Sequence, residues 1–173
     1  MMNGRNSELN QNDETTMTRT AQQYLTFQLV GECYGVAILK VQEIRGWETV
    51  REIPNTPDYI RGALNLRGSV VPIIDLRARF GMPLVEYSPL TVVIVLCLKD
   101  DNGERHTMGI VADEVSDVLD VNPQEIRSAP NLGTQIDMRY MQGMHVRGDT
   151  MTMLLDVDKL LNPNEFEAVA GTV

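Results

Sequence analysis

"YIRGALNLRGSVVPIIDL", Tyr59 to Leu76, returns later in the chain as "YMQGMHVRGDTMTMLLDV", Tyr140 to Val157. Gly62 matches Gly143, Gly68 matches Gly148 and Asp75 matches Asp156, at offsets of 81 (143 − 62), 80 (148 − 68) and 81 (156 − 75). Each copy has two apolar runs that meet at an Arg-Gly dipeptide, the pattern of two strands joined by a tight turn. Pro72 removes a ladder donor, so its strand is expected at a sheet edge or on a bulge. In this alignment Arg67 and Arg147 each stand just before a hairpin glycine. Arg67 is therefore either turn chemistry or a side chain displayed to a partner.

A second match widens the repeat. "YGVAILKVQEI" from Tyr34 resembles "MGIVADEVSDV" from Met108, with Gly35 against Gly109 and Val41 against Val115. The repeat thus covers about 34–76 and 108–157, and a period near 80 is too long for a solenoid. It fits two similar subdomains, each a β-barrel too small to be well stabilised alone. Such barrels are expected to share a core and to leave a groove where they meet, a common place for ligands and partners.

The rest of the ordered chain agrees. "YLTFQL" alternates with period two, and Gly31-Glu32 reads as a turn into a strand from Cys33 to Ile38. "TVVIVLCLKDDNGERHTMGIVAD" is a hairpin whose Asn-Gly suits the positive φ angles of a tight turn. Helix is sparse: "DLRARFG" offers an Asp N-cap and a Gly stop for about one turn, and "DVDKLLNPNEFEAVA" reads as a broken helix near the C-terminus. Residues 1–22 are polar and read as a disordered tail, and 162–173 as a helix or tail.

Composition narrows the function. The chain has 173 residues, 43% of them hydrophobic, and a formal charge of −9. That suits one compact unit which buries roughly 70% of its unfolded surface without a metal or disulfide staple. The acidic balance argues against nucleic acid, and together with the polar tail it favours a monomer. Cys33 and Cys97 sit in apolar strand-like runs and read as buried reduced thiols. Without an apolar leader or a membrane-length run, the reading is a cytoplasmic protein with no membrane insertion.

No phosphate-binding loop, dinucleotide fingerprint or nucleophile elbow occurs. His106 and His145 lack ligand partners at metal spacing, and "DVDK" lacks the later glycine and glutamate of a calcium loop. Asp113 and Glu114 read as strand neighbours facing opposite ways, or as solvated turn charges. No catalytic residue, metal or cofactor is expected, and a binding module fits better than an enzyme. The alternative is a small-molecule-binding or catalytic β-barrel.

From Tyr24 to Leu161 the chain also resembles the CheW-like coupling proteins of bacterial chemotaxis. The likeness is carried by "YGVAILKVQEIRGWETVREIPNTPDYIRGALNLRGSVVPIIDLRARFG", "TVVIVLCL", "MGIVADEVSDVLDVNPQEIRSAP" and "YMQGMHVRGDTMTMLLDVDKLL". The resemblance implies a mainly β fold over 23–161, with two five-stranded SH3-like barrels around a shared core. It also implies a non-enzymatic adaptor between the cytoplasmic tips of methyl-accepting chemoreceptors and the regulatory domain of the histidine kinase CheA. Such an adaptor works in arrays at the inner face of the membrane. By the same resemblance Val41 and Glu43 meet the kinase, with Gly62 close by, and Arg67 faces the groove and its receptor or kinase contacts. Arg127 and Leu132 belong to a second ring contact, where many relatives carry Phe in place of Leu132. Trp47 is expected to plug a barrel.

Overall fold

The computed structural model describes residues 21–129 and 137–162. Its strands are β1 Gln22–Leu29, β2 Glu32–Ala37, β3 Val41–Gly46, β4 Ile60–Leu66, β5 Ser69–Asp75, β6 Val92–Lys99, β7 Arg105–Ala112, β8 Glu114–Val121, β9 Met141–Arg147 and β10 Thr150–Leu155. They form two five-stranded sheets, ordered β3-β6-β7-β5-β4 and β8-β1-β2-β10-β9. The first makes one barrel, and the second makes the other from the two ends of the chain. Single-turn helices α1, Leu76–Arg79, and α2, Val157–Leu160, follow β5 and β10, capped by the Asp75 and Asp156 carboxylates.

The pairing relates the barrels strand by strand. Gly109 on β7 lies opposite Ile73 on β5 in one parallel ladder, and Gly35 on β2 lies opposite Leu154 on β10 in the other. The matched sequences nevertheless do not each build one barrel. β2 belongs to one sheet while β3, β4 and β5, which follow it, belong to the other. The chain crosses at the 3-10 turn Ile38–Lys40 and crosses back at Asp113. Each barrel therefore needs strands from both halves of the sequence.

Alternation along β6 shows where the cores lie. Val93 and Val95 point into the first barrel with Leu64, Val71, Ile73 and Val111, and Trp47 packs against that cluster as the sequence suggested. Ile94 and Leu96 point the other way, into a larger core shared with Phe27, Leu29, Tyr34 and Leu155 of the second sheet. The second barrel's own interior is small, built on Tyr24, Val121 and Leu154.

Three local expectations need correction. The first turn is Val30-Gly31, at φ 49° and 77°, because Leu29 pairs with Glu32. β5 is an inner strand, and Pro72 is tolerated because the parallel ladder to β7 starts only at Ile73. Cys33 and Cys97 are free thiols but only partly buried.

The two interior glycines are not equivalent in tightness. A Cβ on Gly109 would meet Ile73 Cδ1 at 2.6 Å and Val93 Cγ1 at 2.8 Å, whereas one on Gly35 would meet Leu154 Cδ2 at 3.0 Å. Gly109→Ala is expected to cost about 1–3 kcal/mol through overpacking, and Gly35→Ala less. Urea denaturation of both variants checks this, and an equal or reversed order would contradict it.

Candidate functional site

β3 pairs only with β6, so it is a sheet edge, and a bulge separates Val41 from Glu43. Val41 is half-buried against the shared core. The Glu43 carboxylate accepts from Arg67 Nη2 at 3.3 Å and lies 3.8 Å from Arg45 Nη1. The structure thus brings Glu43 and Arg67 together across the first barrel. Ile44, the next residue and so on the other face of β3, is also exposed, and at the crossing turn just before β3 Leu39 has 95% of its surface in water. Lys40 anchors that turn to Asp158 at 2.8 Å.

Gly62 itself is buried. At φ 147° it lies under the Arg51 carbonyl, with no room for a Cβ. Arg51 and Ala63 exchange backbone hydrogen bonds of 3.2 and 2.9 Å there. Gly62 therefore lets the chain after Trp47 cross β4, and it shapes the face from beneath.

Arg67 stands inside its turn. β4 and β5 pair from Gly62–Ile73 to Leu66–Ser69, which leaves Arg67 and Gly68 as the turn residues at φ 51° and 86°. β9 and β10 pair from Gly143–Leu154 to Arg147–Thr150, which leaves Gly148 and Asp149. Adding 81 to both members of a β4–β5 pair gives the β9–β10 pair throughout that range. The equivalent of Arg67 is therefore Gly148, and that of Arg147 is Leu66. The alignment through the Arg-Gly dipeptide slips by one, because the ladder sets the register.

A non-glycine residue at positive φ is strained by about 1 kcal/mol or more. The Arg67 side chain is 83% exposed, and its ion pair with Glu43 contributes little. Arg67→Gly relieves the strain and Arg67→Ala does not. The glycine variant is expected to be the more stable by about 1 kcal/mol, read from paired chemical denaturation curves, and equal curves would rule this out.

Arg127 lies on the second barrel, where it exchanges backbone hydrogen bonds of 2.9 and 2.8 Å with Met144 just as Arg51 does with Ala63. It lines a depression together with Gln124, Glu125, His145, Val146 and Arg147. Leu132 lies outside the described residues.

The largest polar feature was not legible as one. Arg77 and Asp75 are both fully buried. Arg77 donates to the Asp75 carboxylate from its backbone N at 3.0 Å, Nε at 3.0 Å and Nη2 at 2.9 Å. Its Nη1 donates to the Val85 carbonyl at 2.7 Å and to Asp113 at 3.0 Å. Asp113 in turn accepts from the Val30 backbone N at 2.7 Å. Asp113, for which the sequence offers either a strand position or a solvated turn charge, lies between β7 and β8 and ties the strained Val30 turn of one sheet to Arg77 beside the other. Burial pushes the Asp75 carboxyl up, but hydrogen bonds and charge from Arg77, with Arg61 behind it, outweigh that and hold it below the usual carboxylate range. Trp47 stacks on Tyr87 at 4.1 Å, fixing the same loop from outside.

His106 Nε2 lies 2.9 Å from Asp100, whose other oxygen caps the hairpin loop through Asn102 N and Glu104 N. Asp100, Glu104 and His106 bring ligand-type atoms within 4.8 Å of one another, and the turn accounts for their closeness. Among the described residues no helix is long and apolar enough to cross a membrane.

Two small barrels locked together by a shared core, with apolar and ion-paired side chains on their outer faces, define a module suited to docking other proteins. The chain belongs to the CheW-like family, whose model, described as "CheW-like domain", matches residues 23–165. It is 47% identical over 148 residues to "Chemotaxis protein CheW" of Klebsiella aerogenes, covering 86% of each chain. It is 33% identical to "Probable chemotaxis protein CheW" of Rhizobium etli, covering 83% of this chain and 90% of that one. Among solved structures it superposes on the scaffolding protein TtCheW of Thermoanaerobacter tengcongensis with a TM-score of 0.73 and 29% identity, over 83% of this chain and 89% of the other.

Proposed function

We propose that the chain is a non-enzymatic adaptor that couples chemoreceptors to the histidine kinase CheA in bacterial chemotaxis arrays. Family membership across both barrels supports the adaptor role. The observation that carries the docking assignment is the exposed edge strand of the first barrel, where Glu43 pairs with Arg67 at 3.3 Å and Leu39 stands in water at the turn that leads into it. Apolar anchors ringed by charge are what a specific protein contact requires. On this reading the kinase regulatory domain docks on Val41 and Glu43, over a surface that Gly62 shapes. Arg67 faces the groove for receptor or kinase contacts, and Arg127 with Leu132 forms the second ring contact. The chain is a monomer alone and reaches the inner face of the membrane through receptors.

The test reconstitutes the chain with purified CheA and receptor-bearing membranes. Receptor-dependent kinase activation that needs the chain is the expected result. Sedimentation of the chain alone should show a monomer at micromolar concentration. Absence of kinase binding and activation would overturn the adaptor role, and a tight homodimer would overturn the monomer.

A further inference from the structure

The barrels use equivalent positions for different chemistry at one end. In the first barrel Leu64 and Val71 are buried in its apolar interior and Leu66 packs against them. The ladder relation of 81 places His145, Thr152 and Arg147 at those positions in the second barrel. Arg127 bridges to Met144 as Arg51 bridges to Ala63. The fold therefore does not require polar groups here; this chain supplies them.

The result is a depression of about 410 Å³ lined by Gln124, Glu125, Arg127, His145, Val146 and Arg147. His145 is 5% exposed. Its Nε2 is held 3.1 Å from Glu125 Oε2, and its Nδ1 is buried without a partner. Glu125 is thereby engaged by the imidazole. Among the described residues neither Arg127 nor Arg147 is ion-paired, although the chain carries a formal charge of −9. Arg127 and Arg147 thus both line a polar depression, and a guanidinium fork is suited to the planar, multi-oxygen geometry of a carboxylate or phosphate.

We propose that the Arg127–Arg147 depression is an oxyanion-binding site. Its ligand is either a free phosphate- or carboxylate-type anion or the carboxylate of an acidic side chain on a docking protein. The second possibility rests on the ring contact proposed for Arg127; the first does not.

The experiment titrates the full chain with inorganic phosphate and, separately, with acetate, balanced against chloride at constant ionic strength. Backbone and imidazole NMR shifts are followed. Saturable shifts confined to 124–127 and 145–147, reduced at least tenfold in affinity by Arg127→Gln with Arg147→Gln, are expected. The second arm measures binding of the CheA regulatory domain to Arg147→Gln, with and without phosphate. Weaker binding by the variant and competition by phosphate identify a partner's carboxylate. Saturation by phosphate with kinase binding unaffected identifies a free anion. If neither anion saturates and Arg147→Gln binds the kinase normally, there is no oxyanion site. Should the kinase not bind even the wild-type chain, the small-anion arm still decides.

Discussion

Arg77→Met is expected to cost about 3–5 kcal/mol of stability, the usual price of breaking a buried ion pair from one side. Asp75, with no exposed surface, would keep only Arg61 at 3.3 Å and Tyr87 at 3.4 Å as side-chain partners, and Asp113 would lose its cation. The Val85 carbonyl would also lose its donor, and Asp113, which holds the strained Val30 turn, would no longer be fixed by Arg77. The net worth of the intact network is small, because desolvation opposes the attraction, so the loss reflects stranded charge. Asp75→Asn placed on top of Arg77→Met should recover part of the loss, since Asn removes the stranded charge and still caps α1. A single-variant loss under about 1 kcal/mol in urea denaturation would show that the network is dispensable.

The same site sets an acid limit. The folded Asp75 carboxyl is held below its unfolded value of about 3.9. A depressed carboxyl stabilises fully above the unfolded value and loses that contribution as pH falls through the folded one. Stability should therefore decline below about pH 4 in the wild type, and Arg77→Met should show a shallower decline. Melting curves from pH 7 to pH 3 measure the difference; parallel declines would assign the acid sensitivity to other groups.

Glu43→Lys is expected to fold normally and to weaken binding of the CheA regulatory domain by roughly 2–5 kcal/mol. That is about thirtyfold in affinity at the low end. The substitution places a third cation between Arg45 and Arg67, which lie 3.8 and 3.3 Å from the present carboxylate. Glu43 is only partly buried and Arg67, 83% exposed, can turn away into water, so the cost to folding stays below about 1 kcal/mol. At a desolvated contact the same reversal strands the partner's complementary charge. A double-mutant cycle with Arg67→Ala separates direct contact from support through the Glu43–Arg67 pair. Unchanged kinase affinity with a normal melting curve would remove Glu43 from the docking face.

Local chemistry explains what was legible. Period-two runs, Asn-Gly and Arg-Gly turns, and Asp caps depend on a few neighbouring residues, and they led directly to hairpins, a mainly β chain and one-turn helices. Glu43 and Arg67 were each singled out from motifs, "KVQEI" and "NLRG". That they pair was not visible, since they are 24 residues apart and meet only because the barrel curls β3 toward the β4–β5 turn. The role of Asp113 was not visible because its cation, Arg77, is 36 residues away and is itself buried.

By itself the sequence determined the strand pattern, the presence of the hairpins and the repeated glycines, because these follow from backbone sterics and side-chain alternation over short distances. The particular turn residues of two hairpins came instead from the ladders. Only the tertiary structure decided which strands share a barrel, and it split each matched segment between the two sheets by crossing the chain at Ile38–Lys40 and at Asp113. It also decided that Arg67 aligns with Gly148, since hydrogen-bonded registers on both sides of a hairpin fix equivalence more tightly than a shared dipeptide. Last, it decided that Asp75, Arg77 and Asp113 form one buried network, because ionised groups leave water only where folding brings compensating partners from distant parts of the chain.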